Sequence, residues 1–462
     1  MEYLKILKLS PSDTRKQLAN LPNSQFDKLT KLQHEFAQAQ EQLKALKQRK
    51  NETSGQFKKV SDQNQLTELK NSMKELSKEI AVWSETQKTL VNNAQLLLED
   101  KTTPDRTRPK QFNLPELTFE HPFTINEEQP TDSELETFFE RHADGNQYQR
   151  PVIFKVIKTQ FGHDTIWLCA RANGTILGIL PITIMKSRLF GSFGVSTPYF
   201  NYGGPLSHYQ NITTQLIQAA DTLRAKYSLS KIEIRTTLPD LPFPSDTRKA
   251  SMVRRLPASK AELEQELGTK VRAQCKKATE HQPVFKFGHQ ELVDDFYRVF
   301  AENMRDLGTP VYPKQWFSRL ICQPEMKSHI IVCYLNKKPV AAAFLIGVND
   351  MLEIPWASCL RRANPMNMNM WMYRQILDFA IEQGYQFFDF GRSSKDASTY
   401  RFKKQWGPEP IQHYWYTLNG SNIADSGLNP DNPKFKLLIA IWQRLPVWLA
   451  NLIGPRIIGD IP

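Results

Sequence analysis

The chain has 462 residues, 40% of them apolar, and a formal net charge of +12 with an isoelectric point near 9.3. That length suits two or three domains with buried cores, and a mean hydropathy of -0.50 requires one strongly polar part. The basic balance favours an anionic partner such as nucleic acid, a phosphorylated precursor or anionic lipid, without choosing among them. Five scattered cysteines (Cys169, Cys275, Cys322, Cys333, Cys359) form no CxxC pair. Reduced core thiols are therefore expected, with no disulfide frame and no metal site. The opening MEYLKILKLS turns polar at once, and no run of about 18 apolar residues occurs. The expected location is cytoplasmic.

Residues 1–104 carry a helical rhythm. Leu29, Leu32, Phe36, Ala39, Leu43 and Leu46 alternate spacings of three and four, and Leu66, Leu69, Met73, Leu76, Ile80 and Trp83 repeat it. This is the 3.5-residue seam of a coiled coil, interrupted by the polar stretch Asn51 to Gln65. It predicts an antiparallel hairpin of two helices, each roughly 30 residues and about 45 Å long at 1.5 Å per residue. Basic residues gather near its tip: Lys44, Lys47, Arg49, Lys50, Lys58 and Lys59, against the acid Glu52. The pattern alone leaves open a solvated helical face, a dimerisation arm and a nucleic-acid contact.

Residues 105–150 read as a Pro-bearing connector that leads through the acidic stretch Glu127 to Glu140 into a first helix. From Val152 the pattern turns to three strands, a helix and a strand. Two of the strands flank an Asn173-Gly174 turn, a strong hairpin signal. The second half repeats the order: strands at His329–Leu335, Val340–Gly347 and Leu352–Cys359, a helix near Asn369–Gln383, and a strand from Tyr385. These are two similar α/β (α+β) units, 151–255 and 256–418. The tail, 419–462, is rich in Trp and Leu. A helix packed on the core and an interfacial helix at a membrane both fit it, and Pro446 and Pro455, which break the amphipathic run, favour packing.

The stretch Phe387 to Gly407 is the candidate site. A short apolar strand breaks at Gly391 into a polar loop with Arg392, Ser393 and Ser394, then a basic-aromatic segment. Ligands in open α/β sheets sit beyond the carboxyl ends of strands. A strand, a turn and a solvated amphipathic lid would give the same sequence. No HExxH pair, GxSxG elbow or kinase-type Gly-rich loop occurs. An R/Q-x-x-G-x-G/A loop for the pyrophosphate of acyl-CoA is also missing. Arg171 to Ile176 is a partial match inside a hairpin turn, and Arg361 to Asn369 lacks the glycines.

The motifs DFGRS and TYRFKKQWG, followed by the strand His413–Leu418, resemble the C-terminal half of the Fem-type aminoacyltransferases. The nearest likeness is to FemAB-like proteins that accompany PEP-CTERM/exosortase systems. TPYFNYGGPL, LGTKVRAQCKKA and LGTPVYPKQWF fit the same family in the same order, from about residue 150 onward. The resemblance implies tandem GNAT-like acyltransferase domains that use no cofactor. Its activity would be transfer from aminoacyl-tRNA to an amine of a cell-envelope, peptidoglycan or exopolysaccharide precursor. It implies Lys403 as oxyanion stabiliser and Arg392 as anchor for phosphate or carboxylate. Tyr199, Asn201 and Tyr202 become acceptor-side contacts, and Lys270 and Arg272 suit a phosphorylated acceptor. Tyr312, Ser393, Tyr400, Lys404 and Trp406, on the matched motifs, become further substrate contacts.

The stretch LSPSDTRKQLANLP and the helices after it resemble the N-terminal arm of seryl-tRNA synthetases. That likeness implies a tRNA-binding arm acting through Lys44, Lys47, Arg49, Lys50, Lys58 and Lys59. It favours a tRNA with a long variable arm, and serine as the amino acid transferred. Two other readings stand beside it: an acyl-CoA-dependent N-acyltransferase with a dimerisation arm, and a tRNA- or membrane-binding scaffold on a degenerate transferase.

Overall fold

The computed structural model describes residues 2–17, 23–57, 60, 63–99, 109–112, 114–142, 145–187, 191–395, 397–419 and 433–462. The chain divides into two units, Met1–Arg106 and Thr107–Pro462.

In the first unit, two short helices, α1 (Glu2–Ile6) and α2 (Pro11–Gln17), precede the long helices α3 (Asn23–Gln56) and α4 (Gln63–Glu99). The apolar seam works as its spacing predicts. Leu29, Phe36 and Ala39 of α3 cluster with Leu90 and Ala94 of α4, which makes the pair an antiparallel hairpin. Buried Gln33 lies within hydrogen-bond distance of Ile6 O (2.8 Å), Leu9 O (3.2 Å) and Thr14 Oγ1 (2.6 Å), tying the short helices to α3. The helix α3 outruns its expected end and continues through Ser54-Gly55. Thr53 Oγ1 donates back to Arg49 O (2.8 Å) and Gln48 pairs with Glu52 (2.9 Å) along that last stretch. Lys44, Lys47 and Arg49 are exposed and Lys50 is half-buried. Lys58 and Lys59 lie outside the described residues.

The second unit opens with β1 (Thr124–Glu128), α5 (Asp132–Arg141) and α6 (Pro151–Phe161), then β2 (Asp164–Ala172), β3 (Thr175–Ser187), β4 (Gly191–Val195) and β5 (Leu206–Ser207). It continues through α7 (Gln210–Lys226), β6 (Ile232–Thr236), β7 (Ser245–Asp246), β8 (Lys249–Arg255), α8 (Lys260–Glu266), α9 (Thr269–Thr279) and β9 (Val284–Gly288). Next come α10 (Val293–Leu307), α11 (Lys314–Ile321), β10 (Ser328–Leu335), β11 (Lys338–Val348), β12 (Met351–Cys359) and α12 (Met368–Glu382). The chain closes with β13 (Phe387–Ser394), α13 (Ser398–Lys404), β14 (Glu409–Gln412), β15 (Tyr414–Leu418), α14 (Pro433–Trp442) and α15 (Val447–Ile458).

The segment from Val152, expected as a strand, is the helix α6. Pro151 stands at its first turn and Gly162 ends it in the left-handed region (φ 76). Its β-branched residues read as strand-formers, but Ile153, Phe154, Val156 and Ile157 bury one helical face. The Asn173-Gly174 hairpin forms as expected, with φ of 50 and 78.

Two sheets result. The first runs β1-β2-β3-β4-β6-β15-β7 with β5 added beside β3, and the second runs β14-β8-β13-β12-β11-β10-β9. Each contains one parallel pair, β4–β6 and β12–β13, among antiparallel neighbours. This is the tandem GNAT-like arrangement expected from the sequence. The two halves also exchange strands across the boundary placed at 255/256. The strand β8 pairs with β13 and β14 of the second sheet, while β15 returns to β6 of the first. At the end of the chain, Ala450, Gly454 and Ile458 of α15 are buried, and the opposite face stays open.

Candidate active site

The site sits where two parallel strands part. Pairing between β12 and β13 covers Met351↔Phe387, Leu352↔Phe388 and Glu353↔Asp389 and stops there. Beyond that point β12 keeps only β11, while β13 bulges at Gly391 and rejoins β8 through Arg392↔Ser251. Gly391 adopts φ 76, and a Cβ there would meet Ile354 O at 2.8 Å, so the bulge accepts no side chain. The strand therefore does not end at Gly391. Arg392 and Ser393 are strand residues, the first exposed and the second buried.

The last paired residues of the fork are two carboxyls, both fully buried. Glu353 accepts from Tyr148 (2.8 Å), Tyr202 (3.2 Å) and Asn201 (3.4 Å), all from the first half. Asp389 accepts from the Gly391 amide (2.8 Å). Burial raises both carboxyls above the usual range, and the nearby charge of Asp389 adds to the rise at Glu353. Lys403 lies close by. Its ammonium donates to Gly391 O and Arg392 O, each 2.9 Å away, and so secures the bulge. Burial lowers this lysine to about 8 against the opposing pull of Asp389.

These carboxyls give a stability signature. An unfolded glutamate ionises in the ordinary range, whereas the folded Glu353 holds its proton to higher pH. The stabilisation from Glu353 is thus fully present at low pH and is lost as pH rises through the raised folded value. Glu353→Gln should match wild type in thermal midpoint near about pH 5 and exceed it near about pH 8. A midpoint difference that is the same at both pH values would remove the proton from this account.

Beyond the fork opens a cavity of about 250 Å³, lined by Tyr199, Phe200, Asn201, Tyr312, Trp356 and Arg392 together with Met304, Thr309, Pro355 and Ile458. Its walls are aromatic: Tyr312 and Trp356 stand 5.9 Å apart, Phe200 and Trp356 5.7 Å, Tyr199 and Tyr312 5.9 Å. Tyr199 is held at φ 70, with its hydroxyl donating to Gly459 O (2.8 Å). Next to the cavity three cations surround one indole, that of Trp415 on β15. The Lys249 ammonium is 3.5 Å from the ring centroid, the Arg235 guanidinium 4.2 Å and the Arg392 guanidinium 5.0 Å.

Arg235 is paired with Glu233 at 2.7 Å and donates to Phe200 O (3.0 Å). Lys249 and Arg392 have no ion pair among the described residues. Burial, then the charges of Arg392 and Arg235, lowers Lys249 to about 7. Arg392 keeps solvent access but lies deep among protein atoms, and that burial with the charge of Arg235 lowers it to about 10. His413, fully buried and bonded to Ser251 Oγ (3.0 Å), is lowered to about 3 by burial and by the same three cations.

The structure thus brings Tyr199, Asn201, Tyr312 and Arg392 together on one cavity, with Tyr202 behind it on Glu353. Lys403 stands under the β13 bulge and outside the cavity lining. Trp406 does not reach the cavity: it is fully buried against Tyr373 and Phe390, a packing residue. Tyr400 packs beside the same cluster, Ser393 is buried, and Lys404 is exposed on α13. Lys270 and Arg272 are exposed on α9, apart from the cavity lining. Glu353, Arg235, Lys249, Trp356 and Trp415 were not singled out from sequence. One signal was available, since Glu353 is the lone acid in the apolar run MLEIPWASC. The cations converge only through the exchange of β8 and β15.

Residues 267–404 match the acetyltransferase (GNAT) domain family. Among solved structures, FemX is 12% identical, with 64% of this chain and 98% of that one covered and a TM-score of 0.47. A conserved protein from Bacteroides thetaiotaomicron is 10% identical, covering 64% and 99%, with a TM-score of 0.44. A tandem GNAT protein from the clavulanic acid biosynthesis pathway is 10% identical, covering 65% and 100%, with a TM-score of 0.40. No curated protein matches the sequence.

Proposed function

From the premise that this chain carries a GNAT-type acyltransferase domain, we propose that it moves an aminoacyl group from aminoacyl-tRNA to an amine on an anionic envelope or exopolysaccharide precursor. The observation that carries this reading is the pair Lys249 and Arg392, two cations with no ion pair among the described residues, beside an aromatic cavity. Like charges held close cost free energy until an anion arrives, and a guanidinium with an ammonium suits a phosphate or carboxylate. The aromatic walls suit a flat base or the apolar face of a sugar.

In the reaction the acceptor amine attacks the ester carbonyl. A C–N bond forms and the C–O bond to the terminal ribose breaks. The amine gives up a proton and the ribose oxygen takes one. An ester of this kind is already activated, so positioning and charge stabilisation are what the protein has to supply. The fork supports that role: Lys403 fixes the bulge, and the bulge sets Arg392 at the cavity wall. Two features favour tRNA over coenzyme A as donor carrier. The segment leading into α12, Arg361–Met366, is a 3-10 turn with Pro365 inside it, unlike a glycine cradle for pyrophosphate. The hairpin of the first unit presents Lys44, Lys47 and Arg49 to solvent.

The test is donor use. Purified protein supplied with an amine acceptor should consume labelled seryl-tRNA and leave acetyl-CoA untouched. Turnover of acetyl-CoA at rates above those with seryl-tRNA would transfer the assignment to an acyl-CoA-dependent N-acyltransferase.

A further inference from the structure

The last two helices carry an apolar face that nothing in the described chain covers. Leu437 is 64% exposed, Leu438 59% and Ile441 50% on α14, with Trp448 at 67% and Leu452 at 60% on α15. These are not loose ends, because the other face of each helix is packed. Gly454 sits so tightly that a Cβ would meet the Val311 amide nitrogen at 2.8 Å, and Ile439 lies against Gly308. Trp448, Leu452 and the exposed Arg456 recur every four residues, which places them on one stripe of α15. Residues 433–462 hold Lys434, Lys436, Arg444 and Arg456 against a single acid, Asp460. Among the described residues, no helix is long and apolar enough to cross a membrane.

We propose that this face docks on an anionic lipid bilayer, lying in the interface with Trp448 and the leucines among the acyl chains and the arginines at headgroup level. A second protein surface would cover the apolar side chains equally well. The charge decides for lipid: Arg444 between these helices and Arg456 on α15 are exposed, and a segment whose sequence holds four cations and one acid complements anionic headgroups. The same helix walls the cavity, since Ile458 lines it and the next residue, Gly459, accepts the Tyr199 hydroxyl at 2.8 Å. A bilayer-docked chain would therefore meet a lipid-borne acceptor beside its site. The docking stands independently of the donor, so its failure and that of the aminoacyl-tRNA reading are separable.

The full chain should be mixed with vesicles of phosphatidylcholine alone and of phosphatidylcholine with phosphatidylglycerol. Co-sedimentation and a blue shift of tryptophan fluorescence are expected with the anionic vesicles, weakening as salt is raised. The double variant Trp448→Ser, Leu452→Ser should reduce partitioning at least about tenfold, with an unchanged melting curve because both side chains are exposed. Equal partitioning of variant and wild type, or none by wild type, overturns the proposal. Self-association that the same double variant abolishes, without vesicle binding, assigns the face to a second copy instead.

Discussion

Replacing Lys403 with methionine should lower turnover by about 10²-fold or more, the scale of losing one donor to a developing oxyanion. The same change should destabilise the fold by roughly 2–4 kcal/mol. It leaves Gly391 O, which is buried, and Arg392 O, which is partly buried, without this donor and removes a cation whose charge favours the ionised Asp389. The kinetic split distinguishes two roles. A lysine that touches the reacting ester lowers kcat and leaves KM for the acceptor alone. A lysine that positions Arg392 raises that KM, and Arg392→Ala then reproduces the change. Lys404→Met, on the exposed face of α13, should cost little. Equal small losses for Lys403→Met and Lys404→Met would reduce the segment to a solvated lid. Because Lys403 is lowered to about 8, activity that needs its charge should fall as pH rises through that value.

Deleting residues 1–106 should abolish tRNA choice while the remaining unit still folds. Residues Thr107–Pro462 form a compact unit by themselves, and both sheets lie wholly within it. The basic residues of the hairpin would meet backbone phosphates, so binding by the full chain should weaken steeply with salt. Loss of several phosphate contacts should flatten that salt dependence and lower affinity by about 10²-fold or more near physiological salt. Binding of both proteins to serine and alanine tRNAs at two salt concentrations provides the measurement. Unchanged affinity and unchanged preference after deletion would leave dimerisation as the better account of the hairpin.

Local periodicity made much of this architecture readable. The three-and-four spacing from Leu29 to Leu46 specifies one buried face, and Asn173-Gly174 specifies its hairpin, because each signal is complete within a few residues. The helix α6 was misread since Val152, Ile153, Val156 and Ile157 are β-branched, and tertiary burial overrode that preference. At the site, Arg392 was legible because it follows Gly391, where the apolar strand pattern breaks. Lys249 and Arg235 were not, because their neighbours in sequence are unremarkable and their convergence on Trp415 depends on strands from both halves. Trp406 shows the opposite failure: a motif aromatic near basic residues looks like a contact, yet here it fills the core between Tyr373 and Phe390.

The exchange of β8 and β15 between sheets also governs the order in which this protein can be made. As the chain leaves the ribosome, β6 presents an open edge until residues 414–418 emerge to pair with it. The strand β8 waits likewise for β13. Neither edge can close early, so each stays unpaired while well over a hundred further residues are made, a period in which such edges invite aggregation and call for chaperones. A premature stop just after α13 would accordingly take β15 from the first half, which was otherwise completed long before, and only the edge strand β14 from the second.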